Sequence, residues 1–88
     1  MAVVITRLNI HTGNGRLQIK GQNETIAFSL GIGYREVSVK AKKVLSENLD
    51  HNNGLEQKNW KYLRVSASPV ELKDGRVIKY IVKGLYDI

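Results

Sequence analysis

From Thr25 to Ile32, large apolar side chains alternate with small or polar ones. Ile26, Phe28, Leu30 and Ile32 fall on one parity, and Thr25, Ala27, Ser29 and Gly31 on the other. A period of two belongs to an extended strand, whose successive side chains leave on opposite faces; a helix returns to the same face every 3.6 residues. The chain must therefore contain sheet. The small residues on the second parity predict a face that is crowded or closely approached.

The same signal recurs around turn chemistry. Residues 2–11 predict a first strand, with Val3, Ile5 and Arg7 on one face and Val4, Thr6, Leu8 and Ile10 on the other. Thr12-Gly13-Asn14-Gly15 reads as a tight turn, because glycine and asparagine accept positive φ cheaply. Residues 16–20 follow as a second strand, with Leu17 and Ile19 inward and Arg16, Gln18 and Lys20 outward. Gly21–Glu24 turns the chain into the third strand over 25–32. Residues 60–72 and 77–87 predict a closing hairpin around Lys73-Asp74-Gly75-Arg76, in which Asp-Gly is a strong turn signal. Pro69 has no N–H to give to a ladder, so it belongs at an edge or a bulge.

Residues 35–50 carry two patterns. Val37, Ala41, Val44, Leu45 and Leu49 lie near one stripe of a helix that Asn52-Asn53-Gly54 would end, yet Val37-Ser38-Val39-Lys40-Ala41 alternates like a strand. The expectation is a helix over roughly residues 40–50, preceded by a short strand. The order is then three strands, a helix and two strands. This is a β-rich α+β chain: a small five-stranded antiparallel sheet, or an OB-like barrel with one helix between strands 3 and 4. An open α+β sheet and an all-β sandwich are the alternatives.

With 88 residues the chain makes a single domain, 1–88, with a thin core. The absence of cysteine excludes disulfides and thiolate metal sites. The N-terminal apolar run Val3-Val4-Ile5 is too short for a signal peptide or a membrane span, so a soluble, intracellular, cytoplasmic protein without a membrane partner is expected.

Signs of catalysis are sparse. His11 and His51 are the only histidines, and Glu47, Asp50 and Glu56 cluster near the predicted helix end without an apolar cleft to pair them. Gly13-Asn14-Gly15 lacks the Lys-Ser/Thr of a phosphate loop, and Gly31-Ile32-Gly33 lacks the third glycine of a dinucleotide fingerprint. The expectation is a binding protein, not an enzyme, with no cofactor and no metal.

Charge points to the partner. The net charge is +6, which favours anionic ligands. Residues 58–88 hold seven basic and three acidic side chains, a local excess of four, together with Trp60, Tyr62, Tyr80 and Tyr86. Alternation places Leu63, Val65 and Ala67 inward and Trp60, Tyr62, Arg64 and Ser66 outward. In the second arm, Ile78, Tyr80 and Val82 point inward and Val77, Lys79, Ile81, Lys83 and Leu85 outward. Rings beside cations on a sheet offer stacking for bases and neutralisation for phosphates, the two requirements of single-stranded nucleic-acid binding. The candidate nucleic-acid-binding residues are Trp60, Tyr62, Arg64, Lys79 and Lys83, extended by Arg16 and Lys20, in a DNA or RNA binder of low sequence specificity. Packing preference for aromatic residues in strands explains the same rings more plainly. Val77, Ile81 and Leu85 suggest the alternative, a protein-interaction or homo-oligomeric module such as a viral or accessory subunit.

Overall fold

The structure, a computed structural model, describes residues 1–86. Five strands, β1 (Ala2–Leu8), β2 (Gly15–Ile19), β3 (Thr25–Leu30), β4 (Leu63–Glu71) and β5 (Val77–Leu85), close into a barrel in the order β1-β2-β3-β5-β4. A single α-helix, α1 (Val39–Asn52), lies between β3 and β4, so the OB-like order is present and the all-β sandwich is ruled out. The sheet is mixed where an antiparallel one was expected: β3 and β5 pair in parallel, and every other pairing is antiparallel. Parallel neighbours require a long crossover, which α1 and β4 provide. Pro69 lies where β4 has only β5 beside it, since β1 pairs with Leu63 and Arg64 alone.

The ambiguous segment is resolved by capping. Ser38 sits in extended geometry and its Oγ accepts a hydrogen bond from the Ala41 N–H, starting α1 there. A 3-10 helix at Tyr34–Glu36 takes the place of the short strand. The left-handed position after α1 is filled by Gly54 (φ +83°), while Asn53 keeps φ −61°. Leu45 enters the core beside Val3, Ile5, Leu17, Phe28, Leu63, Val65 and Val82, with Val44 and Leu49 packed around it.

Bulges overturn several expected orientations. Ile5 pairs with Leu17 and Arg7 with Arg16, so Thr6 is an extra residue on β1. Beyond it the parity inverts: Leu8 packs against the core and Arg7 swings to the outside. On β5, Val77 pairs with Glu71 and Lys79 with Val70, which leaves Ile78 as a bulge, 47% exposed where an inward position was expected. Val82 pairs with Ala67 and Gly84 with Ser66, so Lys83 is a second bulge. It returns Leu85 to the core, opposite Val65, although strict alternation pointed it outward.

Two buried amides tie α1 to the barrel. Asn48 Oδ1 accepts from the Ile5 N–H at 2.9 Å, and its Nδ2 donates to the Lys61 carbonyl at 2.8 Å. Asn52 accepts from the Lys61 N–H at 2.7 Å and donates to the same carbonyl at 2.9 Å. These side chains are 7% and 5% exposed, so truncation strands polar backbone where water does not reach it readily. Asn52→Ala is expected to lower unfolding free energy by about 2 kcal/mol in urea denaturation. An unchanged midpoint would show that the Lys61 backbone is served equally well by solvent.

Candidate nucleic-acid interface

The bulge at Thr6 builds the first part of the candidate surface. Arg7 stands opposite Arg16, Arg16 opposite Ala27, and Ala27 beside Lys79 on β5. Each of these residues alternates with a core-facing neighbour, so the row runs across the outside of four adjacent strands. At about 4.8 Å per strand, Arg7 and Lys79 are separated by roughly 14 Å along it. Ala27 leaves room between the cations. The Arg16 guanidinium is held in place: its Nε donates to Thr25 Oγ1 and an Nη to the Thr25 carbonyl, both at 2.9 Å. Like charges directly opposite in a sheet repel. Among the described residues no carboxylate pairs with Arg7, Arg16 or Lys79; the ion pairs there are Lys58–Glu56 and Arg76–Asp74, both outside the strands.

A second group adjoins the first through β2, whose outward parity reads Arg16, Gln18, Lys20. The Lys20 ammonium lies 5.3 Å from the centroid of the Tyr62 ring, a cation–π contact. Val3 pairs with Leu63 and Ala2 with Arg64. Carrying that register one residue further sets Tyr62 across from Val4, which is 2% exposed although it faces away from Val3 and Ile5. Arg64 shares this outward parity on β4.

Among the described residues the outer wall of the barrel is almost free of acid. The strands carry Arg7, Arg16, Arg64, Lys79 and Lys83, and their only carboxylate is Glu71, the last residue of β4. The remaining described acids lie in α1, in the 3-10 helix or in connections. The cationic row also runs between two loops. Arg7 adjoins the β1–β2 connection, where Asn9 Oδ1 accepts from the His11 and Thr12 N–H groups and the Tyr34 ring lies against Gly13. Lys79 adjoins the β4–β5 connection, which holds Lys73 and Arg76.

Comparison with protein-family models, curated proteins and solved structures finds no match.

Of the residues singled out from sequence, Arg16, Lys20, Tyr62, Arg64 and Lys79 share the wall. The other two lie apart from that surface. Trp60 precedes β4, and its indole N–H donates to the Leu55 carbonyl at 3.0 Å within the connection that follows α1. Lys83, at its bulge, borders a cleft beside α1. The surface expected on the final hairpin, extended by Arg16 and Lys20, therefore also takes in Arg7 of β1, with Ala27 of β3 between Arg16 and Lys79. Arg7 was missed, yet its signal is present in the apolar spacing. Val3, Ile5 and Leu8 step by two and then by three, which marks an extra residue between Ile5 and Leu8. Among the described residues no group of three or more His, Asp or Glu side chains is arranged to hold a metal ion. No described helix is long and apolar enough to cross a membrane.

Proposed function

We propose that this barrel binds single-stranded nucleic acid along its outer wall, through phosphates more than bases and with low sequence specificity. The observation that carries the reading is the in-register row Arg7–Arg16–Lys79 on a wall whose strands hold one terminal carboxylate. Such a row attracts a polyanion and gains free energy by releasing its counterions. Tyr62, with Lys20 beside it, offers one stacking ring and one further cation. In barrels of this topology, the outside of strands 2 and 3 and the loops that flank it bind oligonucleotides. The row here crosses that face at Arg16 and Ala27, with Arg7 and Lys79 on the strands to either side, a likeness of fold that adds to the residue argument without replacing it.

The direct test is fluorescence anisotropy of a labelled oligothymidylate at several salt concentrations. With three phosphates neutralised along the row, the slope of log K against log salt is expected near −2, at about −0.7 per contact. No binding at low salt, or binding insensitive to salt, would reject the proposal. Tyr62→Ala is expected to weaken binding by about 1–3 kcal/mol, and Tyr62→Phe to restore it, since stacking needs the ring and not the hydroxyl. Equal loss in both variants would count against stacking.

The homo-oligomeric alternative has lost part of its patch, because Leu85 packs on the core. The apolar surface that remains is around Ile81, and it belongs to a separate feature.

A further inference from the structure

Between the first half of α1 and the ends of β3 and β5 lies a cleft of about 660 Å3, bordered by Leu30, Ile32, Val37, Ile81 and Leu85. Its size is that of an ordinary ligand site, for which the usual range is ~300–1,000 Å3. Ile32 at its margin is 57% exposed, which is costly for a large apolar side chain in water. Among the described residues only one ionisable side chain lines it, that of Lys83. The β5 bulge sets Lys83 there, and its stem runs beside Gly31: a Cβ on Gly31 would stand 3.4 Å from Lys83 Cγ. Bulges and strand-end glycines recur where a strand re-aims a side chain toward a ligand.

We propose that this cleft docks an acidic amphipathic segment of a partner protein, with a bulky apolar side chain seated against Ile81 and Val37 and a neighbouring carboxylate on Lys83. Charge selects the occupant. Val37, Ser38 and Ala41 line the cleft, and the chain that carries them, residues 35–43, holds Arg35, Lys40, Lys42 and Lys43 against Glu36, with the Lys42 ammonium over the Tyr34 ring. A second copy of this chain would bring another +6 to the same place. A nucleic-acid backbone requires several cations in line, and the lining supplies one. The barrel then presents two independent faces, a cationic wall and an apolar cleft.

The test uses the full chain, labelled with 15N, and two short synthetic peptides. One alternates aspartate with leucine and phenylalanine; the other has lysine in place of every aspartate. The acidic peptide is expected to shift the amides of Gly31, Ile81, Lys83 and Gly84 and to leave Arg16 and Ala27 in place. Lys83→Glu should weaken it by about tenfold, and Ala41→Trp, which fills the cleft, should abolish the shifts. If Ala41→Trp fails to fold, Lys83→Glu decides alone, because that side chain is exposed. Four outcomes overturn the proposal: shifts confined to the wall, equal shifts from the lysine peptide, undiminished binding by Lys83→Glu, or displacement from the cleft amides by oligothymidylate. The first three do not depend on whether the wall itself binds nucleic acid.

Discussion

Replacing Arg7, Arg16 and Lys79 together by glutamate is expected to lower oligothymidylate affinity by on the order of a hundredfold or more at low salt, and to flatten the salt dependence. Three phosphate contacts are lost, and three carboxylates then face the polyanion. Arg7 and Lys79 lie on the outer wall and Arg7 and Arg16 already repel each other across β1 and β2, so the cost to the fold is the loss of the two hydrogen bonds Arg16 gives Thr25, which a circular dichroism melt of the variant measures. A variant with the same change in net charge, Lys40→Glu with Lys43→Glu and Lys58→Glu, separates position from total charge, because these three lie in α1 and its flanking connection. That control should lose only a few-fold, through the long-range field. If the two triple variants lose affinity equally, the row has no local role and the proposed interface is wrong.

Gly15→Ala is expected to be strongly destabilising. A Cβ at Gly15 would overlap the carbonyl oxygen of Arg7 and press on the Phe28 ring. Backbone cannot step aside there, because Leu8 pairs with Gly15 immediately after the Thr6 bulge, and Gly15 in turn pairs with Phe28. The cost is expected to be on the order of 3 kcal/mol. For a domain of this size that corresponds to a fall in Tm of roughly 12–24 °C. It is also a large part of the ~5–15 kcal/mol that holds a small domain folded. Gly33→Ala is the matching control: Gly33 has φ −56° and nothing within 4 Å of a built Cβ, so the added methyl should be neutral or slightly stabilising. Circular dichroism melts of the two variants decide the matter. A Gly15→Ala protein that melts with the wild type would mean that the β1–β2 pairing relaxes around the bulge at little cost.

The two variants bear on the same place. The bulge that demands glycine at position 15 is also the bulge that turns Arg7 outward, so the most crowded part of the sheet and the candidate interface share a cause. Destabilisation at Gly15 is therefore expected to weaken oligonucleotide binding as well, but with the salt slope retained in whatever fraction remains folded.

Much of the architecture was legible in local pattern. Alternation through Thr25–Leu30, Asp74-Gly75 between two apolar arms, and the apolar stripe ending before Gly54 predicted the third strand, the closing hairpin and the helix, because each rests on side-chain period and backbone preference within a few residues. Several orientations were misread for one reason. Arg7, Ile78 and Leu85 each lie at or beyond a bulge, and a single unpaired residue inverts parity for the rest of its strand. The irregular spacings Val3-Ile5-Leu8 and Tyr80-Val82-Leu85 carry that information, although either would also fit a strand that simply ends.

What the sequence determined by itself was the local menu: which segments are extended, where turns fall, and that the chain carries an excess of positive charge. Only the tertiary structure decided the parallel pairing of β3 with β5, the closure of the barrel, and the alignment of Arg7, Arg16 and Lys79 into one row. Those three cations are far apart along the chain, and nothing within any single strand specifies its register against the next. Register follows from burying Val3, Leu17, Phe28 and Val82 in a common core, and the outer wall takes whatever order that burial imposes.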